Sequence, residues 1–288
     1  MDEDGATGDG RSILYPTLTI NVCGREDTTS RGRADHEPAH CGDPRALARR
    51  PRFDLRRASV RVPERNAAIV LQARMGSTRL PGKVLADLAG RSIIEHCVER
   101  LRATSGLPVV LATTTLSEDD CLAQVAERLA ITVLRGPDLD VLGRFALVVS
   151  TLRLSALIRA TADNPAVDLD APRRTLDQLI RTGVDHVVEC GLPYGAAVEA
   201  VSAEALLRAA DLATDSYDRE HVTPLLRRDS RFVALEAVAP ARLTRPSLRL
   251  TVDTEQDLQF MRQLFAVAEA GAERPVPLEQ LIDAAERL

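Results

Sequence analysis

Short apolar runs that alternate with amphipathic segments are the feature that most constrains this chain, and they fill it from residue 67 onward. Residues 67–71 are a continuous apolar run too short for a helix, which indicates a strand buried on both faces. Further strands are predicted at 108–112, 131–134, 155–159, 184–188, 232–238 and 247–252, and helices at 91–101, from 117, and at 139–152, 170–182, 254–270 and 277–287. This alternation predicts a mostly parallel central sheet in a three-layer α/β fold with right-handed crossovers.

The composition divides the chain into two parts. Residues 1–66 are rich in arginine, acidic residues, Gly, Ser, Thr and Pro, and are predicted to be a disordered extension or the product of a start assigned too far upstream. Residues 67–288 are predicted to form a single domain. A net charge of −5 gives no broad basic face and argues against nucleic acid as a partner. No apolar run approaches a membrane span, and the five cysteines lack C-x-x-C spacing, so a cytoplasmic protein with reduced thiols is expected.

A basic, glycine-containing loop follows the first predicted strand. It ends at Lys83, the only lysine among 37 basic side chains. Arginine has replaced lysine everywhere else, which suggests that this position needs a compact ammonium rather than a planar guanidinium. Arg74, Arg79 and Lys83 place three cations within ten positions, between a strand and a helix where α/β folds bind phosphates. The loop matches neither the Walker pattern nor G-x-G-x-x-G, so the sequence predicts a phosphate site of another kind.

Four sequence blocks, in order, carry a resemblance to a known family. Residues 72–85 read QARMGSTRLPGKVL and resemble the signature Q-A-R-x-x-S-T-R-L-P-G-K-x-L of the cytidylyltransferases similar to spore coat polysaccharide biosynthesis protein F. The more distant CMP-sugar-acid synthetases, which act on acylneuraminate or KDO, share it in part. Residues 159–165, 219–224 and 251–258 resemble the family's R-x-T-x-D-x-P, R-E-H-V-T-P and T-V-D-T-x-x-D-L blocks.

The resemblance implies a Rossmann-like nucleotidyltransferase fold of the GT-A type and a Mg²⁺-dependent transfer of CMP from CTP with release of pyrophosphate. Arg79 and Lys83 are then the catalytic cations that neutralise the leaving group. The nucleotide-binding candidates are Gln72, Ala73, Arg74, Gly76, Ser77, Thr113 and Thr114, and the acceptor-binding candidates are Arg159, Glu199, Glu220 and His221.

Asp163 and Asp253 are the expected metal ligands. Each follows a predicted strand, and ligands of such sheets lie beyond the carboxyl ends of the strands. Two carboxylates together with phosphate oxygens suit Mg²⁺, and the resemblance assigns the metal to the same two positions. The alternatives are that Asp163 caps the turn before Pro165, and that Asp253 belongs to a capping box formed by Thr254 and residue 257. The two D-x-D patterns, at 138–140 and 168–170, are interpreted as acids at helix N-termini.

The acceptor is the point at which the chain departs from its relatives. The family pattern resembles Y-P-D-G-x-D-V-E, whereas residues 192–199 read LPYGAAVE, so that Tyr194 and Ala197 stand where aspartates are expected. Loss of two negative charges favours a small anionic acceptor, such as 2-hydroxyethylphosphonate or a sugar acid. Two other functions remain open at this stage, a GT-A glycosyltransferase that uses a nucleotide-sugar donor and a non-catalytic nucleotide-binding domain. The relatives suggest a homodimer.

Overall fold

The strands of the chain build one large sheet and one small hairpin. The computed structural model describes residues 66–288. Its strands are β1 (Ala67–Gln72), β2 (Asp87–Leu88), β3 (Arg91–Ser92), β4 (Val109–Thr114), β5 (Thr132–Gly136), β6 (Ala156–Thr161), β7 (His186–Cys190), β8 (Glu199–Ser202) and β9 (Ala234–Val238). Seven of them form a sheet in the order β5-β4-β1-β6-β8-β7-β9, while β2 and β3 pair with each other. Only β8 runs antiparallel to its neighbours in the large sheet, which confirms the prediction of a mostly parallel α/β sheet.

Helices cover both faces of this sheet. They are α1 (Ile93–Ala103), α2 (Asp120–Arg128), α3 (Val141–Leu152), α4 (Ala171–Thr182), α5 (Ala203–Leu212), α6 (Ser216–His221), α7 (Pro224–Arg228), α8 (Glu255–Ala268) and α9 (Leu278–Ala285). Strand β1 shows why the core has two halves. Ile69 and Leu71 join the larger cluster with α1, α2, α4, α8 and α9, whereas Ala68 and Val70 join the smaller one with α3, α5 and α7. Successive side chains of a strand point to opposite faces, so both faces of β1 are buried as its apolar run predicts.

The segment 247–252 differs from its prediction as a strand. It makes a single bridge, between Arg249 and Tyr194. Leu250 and Val252 are buried and Leu248 is partly buried, but the backbone amides are satisfied by a loop and by a residue just after β6 rather than by a strand ladder. The Val252 amide donates to the Asp163 carbonyl at 2.9 Å, and the Leu250 amide donates to the Tyr194 carbonyl at 2.7 Å. This pairing brings the chain just before α8 against the end of β6.

The start of α2 also differs from the sequence prediction. The helix predicted from 117 begins instead at Asp120, because residues 117–119 form a 3₁₀ turn, and no capping box forms at Ser117. The division into an extension and a single domain stays a prediction, because residues 1–65 lie outside the described part of the chain. Within the described residues, no helix is both long and apolar enough to cross a membrane.

Candidate active site

The loop after β1 folds back on itself before it reaches Lys83. Gly82 has φ 69°, a left-handed conformation that glycine adopts at little cost, and its amide donates to the Met75 carbonyl at 3.1 Å. A 3₁₀ turn, Lys83–Leu85, begins immediately afterwards. The P-G-K order of the motif therefore has a local structural reason, because the glycine closes the loop and the lysine starts the turn above the sheet.

Asp119 joins this loop to the end of β4, a role that the sequence did not reveal. Its Oδ1 accepts a hydrogen bond from the Met75 amide at 2.7 Å. Its Oδ2 accepts from the hydroxyls of Thr113 and Thr114 at the end of β4. Both threonines are fully buried. Their hydroxyls thus hold the carboxylate that holds the loop, and a nucleotide-binding role for the two threonines stays a prediction.

Lys83 lies between two carboxylates that are distant in sequence. Its Nζ is 2.8 Å from Asp163 Oδ2 and 2.8 Å from Asp253 Oδ1. Asp163 follows β6, and Asp253 lies just before α8. The structure therefore brings together the lysine and both candidate metal ligands at the carboxyl end of the central strands, where ligands of such sheets bind.

Charge around Asp253 keeps this carboxylate ionised. Besides Lys83, its oxygens contact the guanidinium groups of Arg79 at 3.2 Å and Arg249 at 2.7 Å. Burial alone would raise the pKa of Asp253, but Lys83, Arg249 and Arg79 outweigh it and lower that pKa below its usual value. Burial would likewise lower the pKa of Lys83, and Asp163 and Asp253 instead raise it. The lysine is therefore a cation and Asp253 an anion near neutral pH.

The capping alternative for Asp253 does not compete with this arrangement. The capping box of α8 is formed by Thr254 and Asp257, each of which accepts a backbone hydrogen bond from the other residue. The side chain of Asp253 takes no part in it and contacts Lys83, Arg79 and Arg249 instead. The Asp163 side chain likewise pairs with Lys83.

The donor set at this point fits a Mg²⁺ ion that is held together with a polyphosphate. Two carboxylate oxygens already converge on one cation, the Lys83 ammonium. Over residues 66–288 there is no group of three or more His, Cys, Asp or Glu side chains that could hold a metal by themselves. Mg²⁺ is usually bound through one or two carboxylates plus phosphate and water oxygens, so two aspartates suffice.

Arg74 pairs with one acid between β5 and α3 and with another on α6. It contacts Asp138 at 3.1 Å and Glu220 at 3.7 Å. Asp140 accepts from the Gly143 amide at the start of α3, which confirms its interpretation as a helix N-terminal acid. Asp138, two residues before it, instead holds Arg74.

The second D-x-D pattern lies away from this loop. Asp170 precedes α4 without a side-chain cap hydrogen bond. Asp168 is buried and lies 2.6 Å from Arg174.

The acceptor candidates divide into a partly buried group and an exposed group. Arg159 contacts Glu199 at 3.1 Å, the Thr223 hydroxyl donates to the same carboxylate at 2.9 Å, and His186 Nε2 lies 3.7 Å from it. Burial would raise the pKa of Glu199, but the Arg159 guanidinium and His186 outweigh it and hold that pKa far below its usual range.

Glu220 and His221, at the end of α6, are both exposed. The His221 ring packs against Tyr217, with the ring centres 4.4 Å apart.

A strained backbone links these two groups. Val222 has φ 70° and ψ −54° although it is β-branched and fully buried, and the Thr223 amide donates to the His221 carbonyl at 2.8 Å. This is a γ-turn of the rare, strained kind. It turns the chain so that the Thr223 hydroxyl reaches Glu199. Strain of this kind persists where the surrounding structure requires the geometry, and it explains the V-T step of the motif at 219–224.

The four motif blocks thus meet at one edge of the sheet. Comparison with known protein families identifies the family to which they belong. Residues 67–284 match the family described as cytidylyltransferase. The chain belongs to the cytidylyltransferase family. The spore coat polysaccharide biosynthesis protein SpsF of Bacillus subtilis (strain 168) is 32% identical over 220 residues, which are 74% of this chain and 91% of that protein. A 3-deoxy-manno-octulosonate cytidylyltransferase of Anaeromyxobacter sp. (strain K) is 34% identical over 110 residues, 37% of this chain and 44% of that protein.

Solved structures of similar proteins share the fold of this cytidylyltransferase. A cytidylyltransferase from Leptospira borgpetersenii superposes with a TM-score of 0.71 at 24% identity, over 77% of this chain and 94% of that one. A CMP:2-keto-3-deoxy-manno-octonic acid synthetase complexed with CTP gives a TM-score of 0.55 at 19% identity, over 70% of this chain and 99% of that one. The predicted nucleotidyltransferase fold is confirmed, and the chain is a nucleotidyltransferase enzyme rather than a glycosyltransferase or a non-catalytic domain.

The remaining nucleotide-binding candidates of this cytidylyltransferase lie along the same edge. Gln72 ends β1, and its Oε1 is buried without a hydrogen-bond partner among the described residues. Ala73 is buried, with its amide on the Ala112 carbonyl at 3.3 Å. Gly76 is exposed and Ser77 half-buried in the loop. An added Cβ at Gly76 would lie 3.0 Å from Glu118 Oε1, so the loop packs closely here.

Proposed function

We propose that this enzyme transfers CMP from CTP to a small anionic acceptor in a Mg²⁺-dependent reaction that releases pyrophosphate. The observation that carries the proposal is the Lys83 ammonium, held 2.8 Å from both Asp163 and Asp253 at the end of the loop that also carries Arg79. A site with two cations and two carboxylates suits a triphosphate and a divalent ion. The SpsF and CMP-sugar-acid synthetase relatives, one of them solved in complex with CTP, support CTP as the nucleotide.

Charge development explains what each side chain would do. An acceptor oxygen forms a bond to the α-phosphorus of CTP, and the bond from that phosphorus to the oxygen bridging to the β-phosphate breaks. Negative charge grows on pyrophosphate as it leaves, and Arg79 and Lys83 would neutralise it. Arg79 is 67% exposed and its contact with Asp253 is its only charge pair in the described part of the chain, so it is free to turn toward phosphate. Asp163 and Asp253 would hold Mg²⁺, which polarises phosphoryl oxygens.

The acceptor is inferred from two negative charges that the family pattern has and this chain lacks. Tyr194 and Ala197 replace two aspartates of the family pattern, and the Tyr194 ring covers Arg249 at 5.0 Å from its centre. The remaining carboxylate, Glu199, is already paired with Arg159. With fewer uncompensated negative charges, the pocket suits an acceptor that is itself an anion, such as a phosphonate or a sugar acid. A phosphonate oxygen is already ionised and needs no base to remove a proton before it attacks.

A thermal-shift screen of the four nucleoside triphosphates with Mg²⁺ tests the nucleotide and the metal. CTP at 100 times its dissociation constant should add about 2.7 kcal/mol of stability to the wild type, with smaller gains from ATP, GTP and UTP. Asp163→Asn should lose most of this gain because it removes one of the two carboxylates. Asp177→Asn is the matched control, since Asp177 lies on α4 and pairs with Arg173 at 3.0 Å. Equal stabilisation of all variants, or by all four nucleotides, would contradict the proposal.

A pyrophosphate-release assay with CTP and a panel of acceptors tests the second substrate. Turnover is expected with 2-hydroxyethylphosphonate or with ulosonic acids, and not with neutral sugars of similar size. Restoring the family pattern with Tyr194→Asp should reduce turnover of the anionic acceptor about tenfold. The new carboxylate would repel the acceptor, and about 1.4 kcal/mol of repulsion corresponds to that factor. Turnover confined to neutral sugars would show that the acceptor assignment is wrong while leaving the CTP chemistry in place.

A further inference from the structure

Arg249 lies at the edge of the site, just outside the T-V-D-T block, and no motif singles it out. Its Nη2 donates to Asp253 Oδ2 at 2.7 Å. Its Nε and Nη2 donate to the two oxygens of Asp257, at 2.9 Å and 3.2 Å. One guanidinium therefore joins a candidate metal ligand to the first turn of α8.

The two oxygens of Asp253 have different partners. Oδ1 contacts Lys83 at 2.8 Å and Arg79 at 3.2 Å, whereas Oδ2 belongs to Arg249. A carboxylate that is held by one oxygen cannot rotate freely about its terminal bond. The Arg249 contact therefore fixes the direction of Oδ1, which points to the place where Lys83 and Asp163 also converge.

Arg249 is itself fixed from two sides. Asp257 accepts from the backbone amides of Asp253 and Thr254, both at 2.9 Å, as part of the α8 capping box. Burial would raise the pKa of Asp257, but Arg249 and these backbone amides outweigh it and keep that pKa well below its usual value. The Tyr194 ring covers the guanidinium, and Tyr194 is held by backbone hydrogen bonds to Leu248 and Leu250 at 2.8 Å and 2.7 Å.

Stability alone gives little reason for such a clamp. Arg249 is 42% exposed, and exposed ion pairs typically contribute about 0–1 kcal/mol. By contrast, residues that orient a metal ligand typically change metal affinity by about 10- to 100-fold when they are mutated. The larger effect of this arrangement is thus expected at the ligand and not in the fold.

We propose that Arg249 is a positioning residue for the metal site, which holds Asp253 by Oδ2 so that Oδ1 faces the cation. Asp257 and the ring of Tyr194 hold the guanidinium in place for this role. The inference rests on the proposed function, because it takes Asp253 to be a metal ligand.

The test measures Mn²⁺ binding by electron paramagnetic resonance in the presence of CTP and without acceptor. Arg249→Gln should weaken Mn²⁺ binding about 10- to 100-fold, while its thermal midpoint without ligands stays close to that of the wild type. Arg249→Lys should fall between the two, because an ammonium keeps the charge but cannot reach both carboxylates with a planar fork. Arg245→Gln is the matched control, since Arg245 is 40% exposed and pairs with Glu286 at 2.6 Å. It should bind Mn²⁺ as the wild type does.

A second variant keeps the inference testable if Arg249→Gln fails to fold. Asp257→Asn retains an oxygen for the backbone amides of Asp253 and Thr254 but loses the charged pair with Arg249, so it should weaken Mn²⁺ binding by a smaller factor. Mn²⁺ affinity equal to the control in the folded variants would overturn the positioning role. If the wild type itself bound no Mn²⁺ with CTP, the proposed function would fail, a result that is distinct from the first.

Discussion

Replacing Lys83 with alanine should lower the rate of pyrophosphate release from CTP by about 10²- to 10³-fold, the usual cost of removing one preorganised group that stabilises transition-state charge. The ammonium lies beside both candidate metal ligands and its side chain is only 11% exposed, so water cannot easily replace it. The measurement is steady-state turnover at saturating CTP and Mg²⁺ with the best acceptor of the panel. Turnover within a few-fold of the wild type would mean that the lysine neutralises no charge in the reaction.

Lys83→Arg separates charge from shape. A guanidinium restores the positive charge, but its planar fork is wider than an ammonium and does not fit the narrow space between Asp163 and Asp253. We therefore expect Lys83→Arg to recover less than about a tenth of wild-type turnover, or about 1.4 kcal/mol short of full rescue. Full activity of this variant would show that the single lysine of the sequence is an accident of composition. Circular dichroism of both variants controls for folding.

Much of the fold follows from the periodicity of the sequence. The run at 67–71 predicted a strand that is buried on both faces, and β1 contributes to both cores. Strand β8 was not predicted, because its four residues begin with the charged Glu199 and its place between β6 and β7 depends on non-local antiparallel pairing. The segment 247–252 has the burial pattern of a strand, yet its hydrogen bonds go to loop residues. Periodicity reports which side chains are buried and not which backbone groups pair.

The candidate site was predictable in part for a similar reason. Lys83, Asp163 and Asp253 follow strands or strand-like segments, so the rule for the carboxyl ends of strands places them at one edge, where the structure has them. Arg249 and Thr223 contact the site through side-chain directions that only the tertiary packing sets. The strained turn at Val222 is the clearest example, since a valine gives no local sign of a positive φ.

Mg²⁺ and CTP should bind cooperatively, with each tightening the other about 100-fold, or by about 2.7 kcal/mol, toward the upper end of common coupling energies. The reason is that Lys83 already bridges the two carboxylates that the metal would use. Within this cluster Lys83, Arg79 and Arg249 balance Asp163, Asp253 and Asp257. A metal ion alone would add uncompensated positive charge, whereas a triphosphate supplies negative charge and attracts Lys83 and Arg79 away from the aspartates.

Isothermal titration of the free enzyme with Mg²⁺, and again with CTP present, measures this coupling. The wild type should bind Mg²⁺ weakly in the absence of nucleotide. Lys83→Ala should bind it more tightly, because Asp163 and Asp253 then lack their shared internal cation, and its coupling to CTP should fall toward unity. The same coupling must appear in CTP titrations at low and high Mg²⁺, since linkage is reciprocal. Tight Mg²⁺ binding to the nucleotide-free wild type would show that the ammonium does not compete for the metal's place, and the variant would then have nothing to release.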